Sequence, residues 1–122
     1  MTHTEKLERM IRSLDKHLAR DIAAIDVTGI SAITDCFVFV TGGSTTQVKA
    51  LCDYVEKDLS DVGVYPERIE GYHNTARWIL MDYGDITLHV FLQEAREFYD
   101  LERLWQDGTP VQISQFMETE EI

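Results

Sequence analysis

The sequence has few of the residues that usually betray chemistry or compartment. Cysteine occurs twice in 122 residues, at Cys36 and Cys52. No CxxC pair or Cys/His cluster accompanies them, so neither a zinc site nor a disulfide framework is expected. Cys36 sits in a hydrophobic run and Cys52 on the apolar stripe of a predicted helix. Both read as small buried hydrophobes of a reducing compartment. No apolar run approaches the roughly 20 residues of a membrane helix. The first ten residues, MTHTEKLERM, lack an apolar signal core, so a soluble cytoplasmic protein is expected. Positive charge is also scarce: 11 Lys plus Arg stand against 22 Asp plus Glu, a net charge of −11. General nucleic-acid binding needs a basic surface and is disfavoured. Such a charge suits a basic partner and would speed the encounter, although solubility alone could also account for it.

What is present is one domain, placed at residues 1–107, followed by an acidic tail at 108–122 that is expected to be poorly ordered. Thr2-His3-Thr4-Glu5 has capping-box spacing, and Leu7, Met10, Ile11, Leu14 and Leu18 then recur with a helical period. The predicted first helix ends near Arg20. Asp21–Thr28 and Asp35–Thr41 read as strands, the second apolar enough to be covered on both faces. Gly42-Gly43-Ser44 leads into a helix with Ser44 as N-cap and Gln47 as its capping-box partner. Val48, Leu51, Cys52, Val55, Leu59 and Val62 form its buried stripe, and Gly63 ends it. Arg68–Glu70 is a short strand candidate. After the loop Gly71–Ala76 comes a hairpin, then a helix over Gln93–Gln106 with Phe98, Leu101, Leu104 and Trp105 on one side. The tail offers at most a short strand at Val111–Ile113. The fold class is therefore α/β: a mixed five-strand sheet with amphipathic helices over one face, the other face left partly bare.

The hairpin within Arg77–Trp105 organises the chain. A two-residue loop at Tyr83-Gly84 would set Asp82 opposite Asp85, Leu80 opposite Thr87 and Trp78 opposite His89. Side chains alternate along a strand. One face then carries Ile79, Met81, Ile86, Leu88 and Val90 and is core. The other carries Trp78, Leu80, Thr87, His89 and Phe91, with Asp82 and Asp85 at its tip. An aromatic side chain buries about 150–250 Å², so an uncovered Trp78 argues for a partner or for self-association.

Catalytic readings are weak. Gly42-Gly43-Ser44 could cradle phosphate at a helix start, and a strand–Gly-Ser–helix start also occurs in nucleotidyltransferases. Those pair it with closely spaced carboxylates that hold metal, whereas here Thr45-Thr46-Gln47-Val48-Lys49 follows. A tight turn plus N-cap is the favoured reading of the motif. Asp82 and Asp85 could hold a cation, but hairpin turns favour Asp and Gly on conformational grounds. His89 has no Ser, Cys or carboxylate placed to complete a relay with it.

DCFVFVTGGSTTQV, RIEG, WILMDYGDITLHVF and EAREFYDLERLWQD together resemble the ribosomal silencing factor (Iojap) family over roughly Leu7 to Asp107. Cys36 and Thr46 depart from the usual pattern, but the hairpin does not. The resemblance implies a nucleotidyltransferase-like fold without catalytic carboxylates, no enzymatic activity and no cofactor. It implies binding to the large ribosomal subunit through ribosomal protein uL14, which blocks joining of the small subunit and damps translation when nutrients run short. The residues expected to touch the partner are Trp78, Leu80, Asp82, Tyr83, Asp85, His89 and Phe91, with Arg96 and Tyr99 beside them. A homodimer over the same face, or a metal-dependent nucleotidyltransferase using the Gly-Gly-Ser turn, are the alternatives.

Overall fold

The computed structural model describes residues 1–117. The first helix, α1 (His3–Lys16), starts with the capping box the sequence predicts: Thr2 Oγ1 accepts from the Glu5 amide while Glu5 returns a bond to the Thr2 amide. It stops at Lys16, short of Arg20, because Leu18 takes a left-handed conformation and the chain turns into β1 (Arg20–Asp26). β2 (Cys36–Gly42) is buried at every position. α2 (Thr45–Ser60) follows, then β3 (Arg68–Glu70), β4 (Trp78–Asp82), β5 (Ile86–Leu92), α3 (Gln93–Tyr99), α4 (Leu101–Leu104) and β6 (Thr109–Pro110).

The sheet has six strands, not five, in the order β3-β4-β5-β2-β1-β6. β2 and β5 run parallel at its centre and the other pairings are antiparallel. The mixed sheet follows the sequence reading. The sixth strand is too short to show a period: two residues of β6 pair with Ile25 and Asp26 at the sheet edge. Pro110 is tolerated there because an edge strand need not donate on both sides. The predicted strand at Val111–Ile113 is thus displaced toward the N-terminus by about one residue pair, although the Val111 amide still bonds the Ala24 carbonyl. The expected tail is folded as far as it is described. Ile113 and Phe116, the latter in a 3₁₀ turn at Ser114–Phe116, are buried against the main core. Residues 118–122 lie outside the described residues.

Strand alternation divides β2 between two cores. Cys36, Val38 and Val40 face α1 and α2, with Ile79, Met81, Ile86, Leu88 and Val90 of the hairpin. Phe37 and Phe39 face the other way and meet Phe91, Val27 and Ala95, with Trp78, Leu101 and Trp105 packed around them. The second face is therefore not bare. The α3–α4 arm folds back over part of it, which corrects the expectation that helices cover one face. That arm is not the single helix the sequence suggests. Asp100 adopts φ 48°, ψ 49° and splits it. Asp is among the few residues that tolerate this region. The break turns Leu101 and Trp105 inward and leaves Phe98 and Leu104 in solvent, 79% and 71% exposed.

Candidate functional site: the second face of the hairpin

The hairpin closes on a loop at Gly84-Asp85, not Tyr83-Gly84. The Tyr83 amide bonds the Ile86 carbonyl at 2.9 Å, and Asp82 pairs with Thr87, Leu80 with His89 and Trp78 with Phe91. The slip relative to the expected register is two residues. It spares the sheet two aspartates directly opposite each other. It also puts Gly84 at the loop position with φ 85°, which glycine takes without strain. A slip of two preserves which side chains share a face, so Trp78, Leu80, Asp82, Thr87, His89 and Phe91 remain together.

Two of the expected contact residues leave that face. Tyr83 points into the α2 side of the sheet, is 6% exposed, and has its phenol pushed up by burial. Asp85 turns toward α1, where Oδ1 accepts from Lys6 Nζ at 2.7 Å and Oδ2 contacts His3 Nδ1 at 2.9 Å. Partial burial works to raise the Asp85 carboxyl, but the hydrogen bonds from Lys6 and His3 outweigh it and hold it below its ordinary value. Asp82 accepts from the Gly84 amide at 2.8 Å and pairs with Arg68 Nε at 3.3 Å. The two aspartates thus serve different sides of the sheet, and no group of three or more metal donors occurs among the described residues.

His89 and Phe91 stay on the face but form its floor, 3% and 1% exposed. Trp78 Nε1 donates to His89 Nδ1 at 3.0 Å. His89 therefore accepts at Nδ1 and, when neutral, carries its proton on Nε2. Burial pushes its pKa down to about 4. A histidine held low in the folded state loses stability as pH falls from its unfolded pKa of 6.5 toward 4, because the unfolded chain binds the proton first. Unfolding by urea should show roughly 2 kcal/mol less stability at pH 5 than at pH 7, and His89→Gln should remove most of the difference.

Around this floor the aromatic rings are continuous. Trp78 lies 5.3 Å from Phe91 and 4.6 Å from Tyr99, Tyr99 meets Phe98 edge-on at 5.0 Å, and Phe37 lies 5.0 Å from Trp105. Trp78 and Leu80 are half-buried, while Tyr99 is 48% exposed. Arg96 is engaged within the protein. Its Nε and Nη2 grip the Glu102 carboxylate at 2.9 and 3.0 Å, and Nη1 donates to the Asp21 carbonyl and Thr41 Oγ1 at 2.7 and 2.9 Å. It clamps α3, α4 and the sheet together across the Asp100 break and so positions the exposed rings. Sequence reasoning missed Phe98, Leu104, Ile33 and Arg68 as surface members. Phe98 and Leu104 look like core while the arm is read as one helix, and only the break reverses that.

The Gly-Gly-Ser turn serves packing. A Cβ on Gly42 would lie 2.9 Å from Val48 Cγ2, so glycine lets β2 hand over directly to α2. Ser44 Oγ accepts from the Gln47 amide, and Gln47 Oε1 accepts from the Gly43 amide, not the Ser44 amide of a full capping box. Two donors that a phosphate would need are thereby used within the protein, and Glu94 and Glu97 line the same crevice. Titration with millimolar ATP and magnesium is expected to give no heat of binding.

The whole chain, residues 1–122, matches the family model described as ribosomal silencing factor during starvation. A ribosomal silencing factor from Halalkalibacterium halodurans is 36% identical over 93% of this chain and 96% of its own length. A mouse protein named for mitochondrial assembly of the ribosomal large subunit is 32% identical over 81% of this chain and 44% of its own. A crystal structure of a Chromobacterium violaceum protein superposes with a TM-score of 0.83 at 33% identity, over 87% of this chain and 88% of that one. On the match to that family model and on these identities, the chain belongs to the ribosomal silencing factor family.

Proposed function

We propose that this protein is a non-enzymatic translation regulator. It binds the large ribosomal subunit through ribosomal protein uL14 and thereby keeps the small subunit from joining. The docking surface is the second face of the hairpin and its arm: Trp78, Leu80 and Asp82 on the sheet, Tyr99 and Phe98 on α3. His89 and Phe91 support it from beneath. The observation that carries this reading is the set of three exposed apolar side chains on one short arm, Phe98, Tyr99 and Leu104, held there by a nearly buried arginine clamp. Large exposed apolar patches on soluble proteins mark interaction sites. Aromatic residues are enriched in such interfaces. Family membership supports a ribosomal role, the mouse relative's name supports the large subunit, and a net charge of −11 suits a basic partner.

The test is co-sedimentation with purified large subunits, followed by gradient analysis of subunit joining. The protein is expected to pellet with large subunits and to lower the assembled fraction, and to do both less well as salt rises. Phe98→Ala is a clean variant because its side chain touches little of the fold. Its stability should stay within about 0.5 kcal/mol of the parent, while affinity drops roughly tenfold. A protein that never pellets with large subunits refutes the proposal, whatever its variants do.

A further inference from the structure

Between α4 and the hairpin lies an open groove of about 440 Å³. Leu80, Leu101 and Trp105 wall it, and the Arg68–Asp82 pair stands at its rim. His89 lies at its floor. Trp78, which takes up Nδ1, does not line the groove. With Nδ1 taken by Trp78, the proton of the neutral ring sits on Nε2. Nε2 is shut off from water and has no hydrogen-bond partner among the described residues. A buried N–H without an acceptor costs about 1–3 kcal/mol, and such orphans in a native fold call for an explanation. Leu80, its cross-strand neighbour, and Trp105 line the same groove and are only half-buried, so the groove wall beside His89 is open to a partner.

We propose that this groove receives one anchoring side chain of the docking protein, apolar along its body and ending in a hydroxyl or amide oxygen, and that His89 Nε2–H donates to that oxygen. The inference rests on the docking surface proposed above. The walls select the apolar body, and an acceptor of this kind removes the orphan only in the complex. A purely aliphatic anchor would leave the N–H buried and unpaired, so the groove discriminates against it.

Two measurements test this. Long-range proton–nitrogen NMR on the unbound wild-type protein should show His89 protonated at Nε2 and bare at Nδ1; the opposite tautomer overturns the proposal. The second compares His89→Asn with His89→Gln in co-sedimentation with purified large subunits. Asparagine can still accept from Trp78 Nε1 but has nothing at the Nε2 position. Glutamine places an amide N–H near that position. His89→Asn is expected to bind roughly tenfold more weakly, and His89→Gln within about threefold of the parent. Asparagine binding as tightly as the parent, or glutamine as weakly as asparagine, overturns the assignment of His89 while leaving the docking surface standing. Absence of binding by the parent itself removes both readings.

Discussion

Replacing Trp78 with alanine should lower the affinity for isolated large subunits about a hundredfold, or close to 2.7 kcal/mol. The ring is half-buried and meets Phe91, Tyr99 and His89 at once. Its loss removes a contact surface and also unseats Tyr99 beside it. The same change should destabilise the fold by roughly 3 kcal/mol, the lower end for a large aromatic truncation, because one edge of Trp78 already faces solvent. The two effects are separable. Binding is measured at a temperature where near-ultraviolet dichroism shows the variant folded. A folded variant with parental affinity would make Trp78 a structural residue only.

The second large effect is expected from Arg96→Ala. The Arg96 side chain is 11% exposed, its partner Glu102 36%, and the guanidinium holds a carboxylate, a carbonyl and a hydroxyl together. Losing charge-assisted hydrogen bonds of this kind costs about 2–3 kcal/mol. The loss should fall on one region. Amide hydrogen exchange should accelerate through 93–105 and leave β2 and β5 protected. Binding should weaken as well, through misplacement of Phe98 and Tyr99, since the guanidinium is spent on contacts within the protein. Uniform loss of protection across the sheet would show that the arm is not a separable unit.

The parts of this architecture legible in the sequence are those fixed by periodicity. The α2 stripe from Val48 to Leu59 is buried as its spacing requires. The hairpin faces came out correctly in spite of a wrong loop, since a slip of two residues leaves strand parity unchanged. The features that escaped depend on single dihedrals or on long-range pairing. Asp100 breaks a pattern that otherwise reads as one helix, and this places Phe98 outside. β6 is a two-residue pairing set by Ile25 and Asp26, far away in sequence. Among the site residues, Trp78, Leu80, Asp82 and Tyr99 lie on the exposed side of the second face. Tyr83, Asp85 and Arg96 are committed to the fold, and an alternation of residue types could not distinguish these two fates. Tyr83 looks like a loop residue until the loop moves by one position.

The parallel pairing of β2 with β5 has a consequence for how the chain reaches this structure. Cys36 meets Ile86 and Gly42 meets Leu92, so the central ladder joins the first third of the chain to the last. Non-local pairing of this kind slows folding, because a long loop must close before any contact rewards it. During synthesis the two innermost strands cannot meet until β5 has left the exit tunnel. Until then β2, apolar along its whole length, has only β1 and the two helices to shelter it. The central ladder thus closes only after β5 has been made, and the exposed arm, which follows β5 in the chain, is assembled after it.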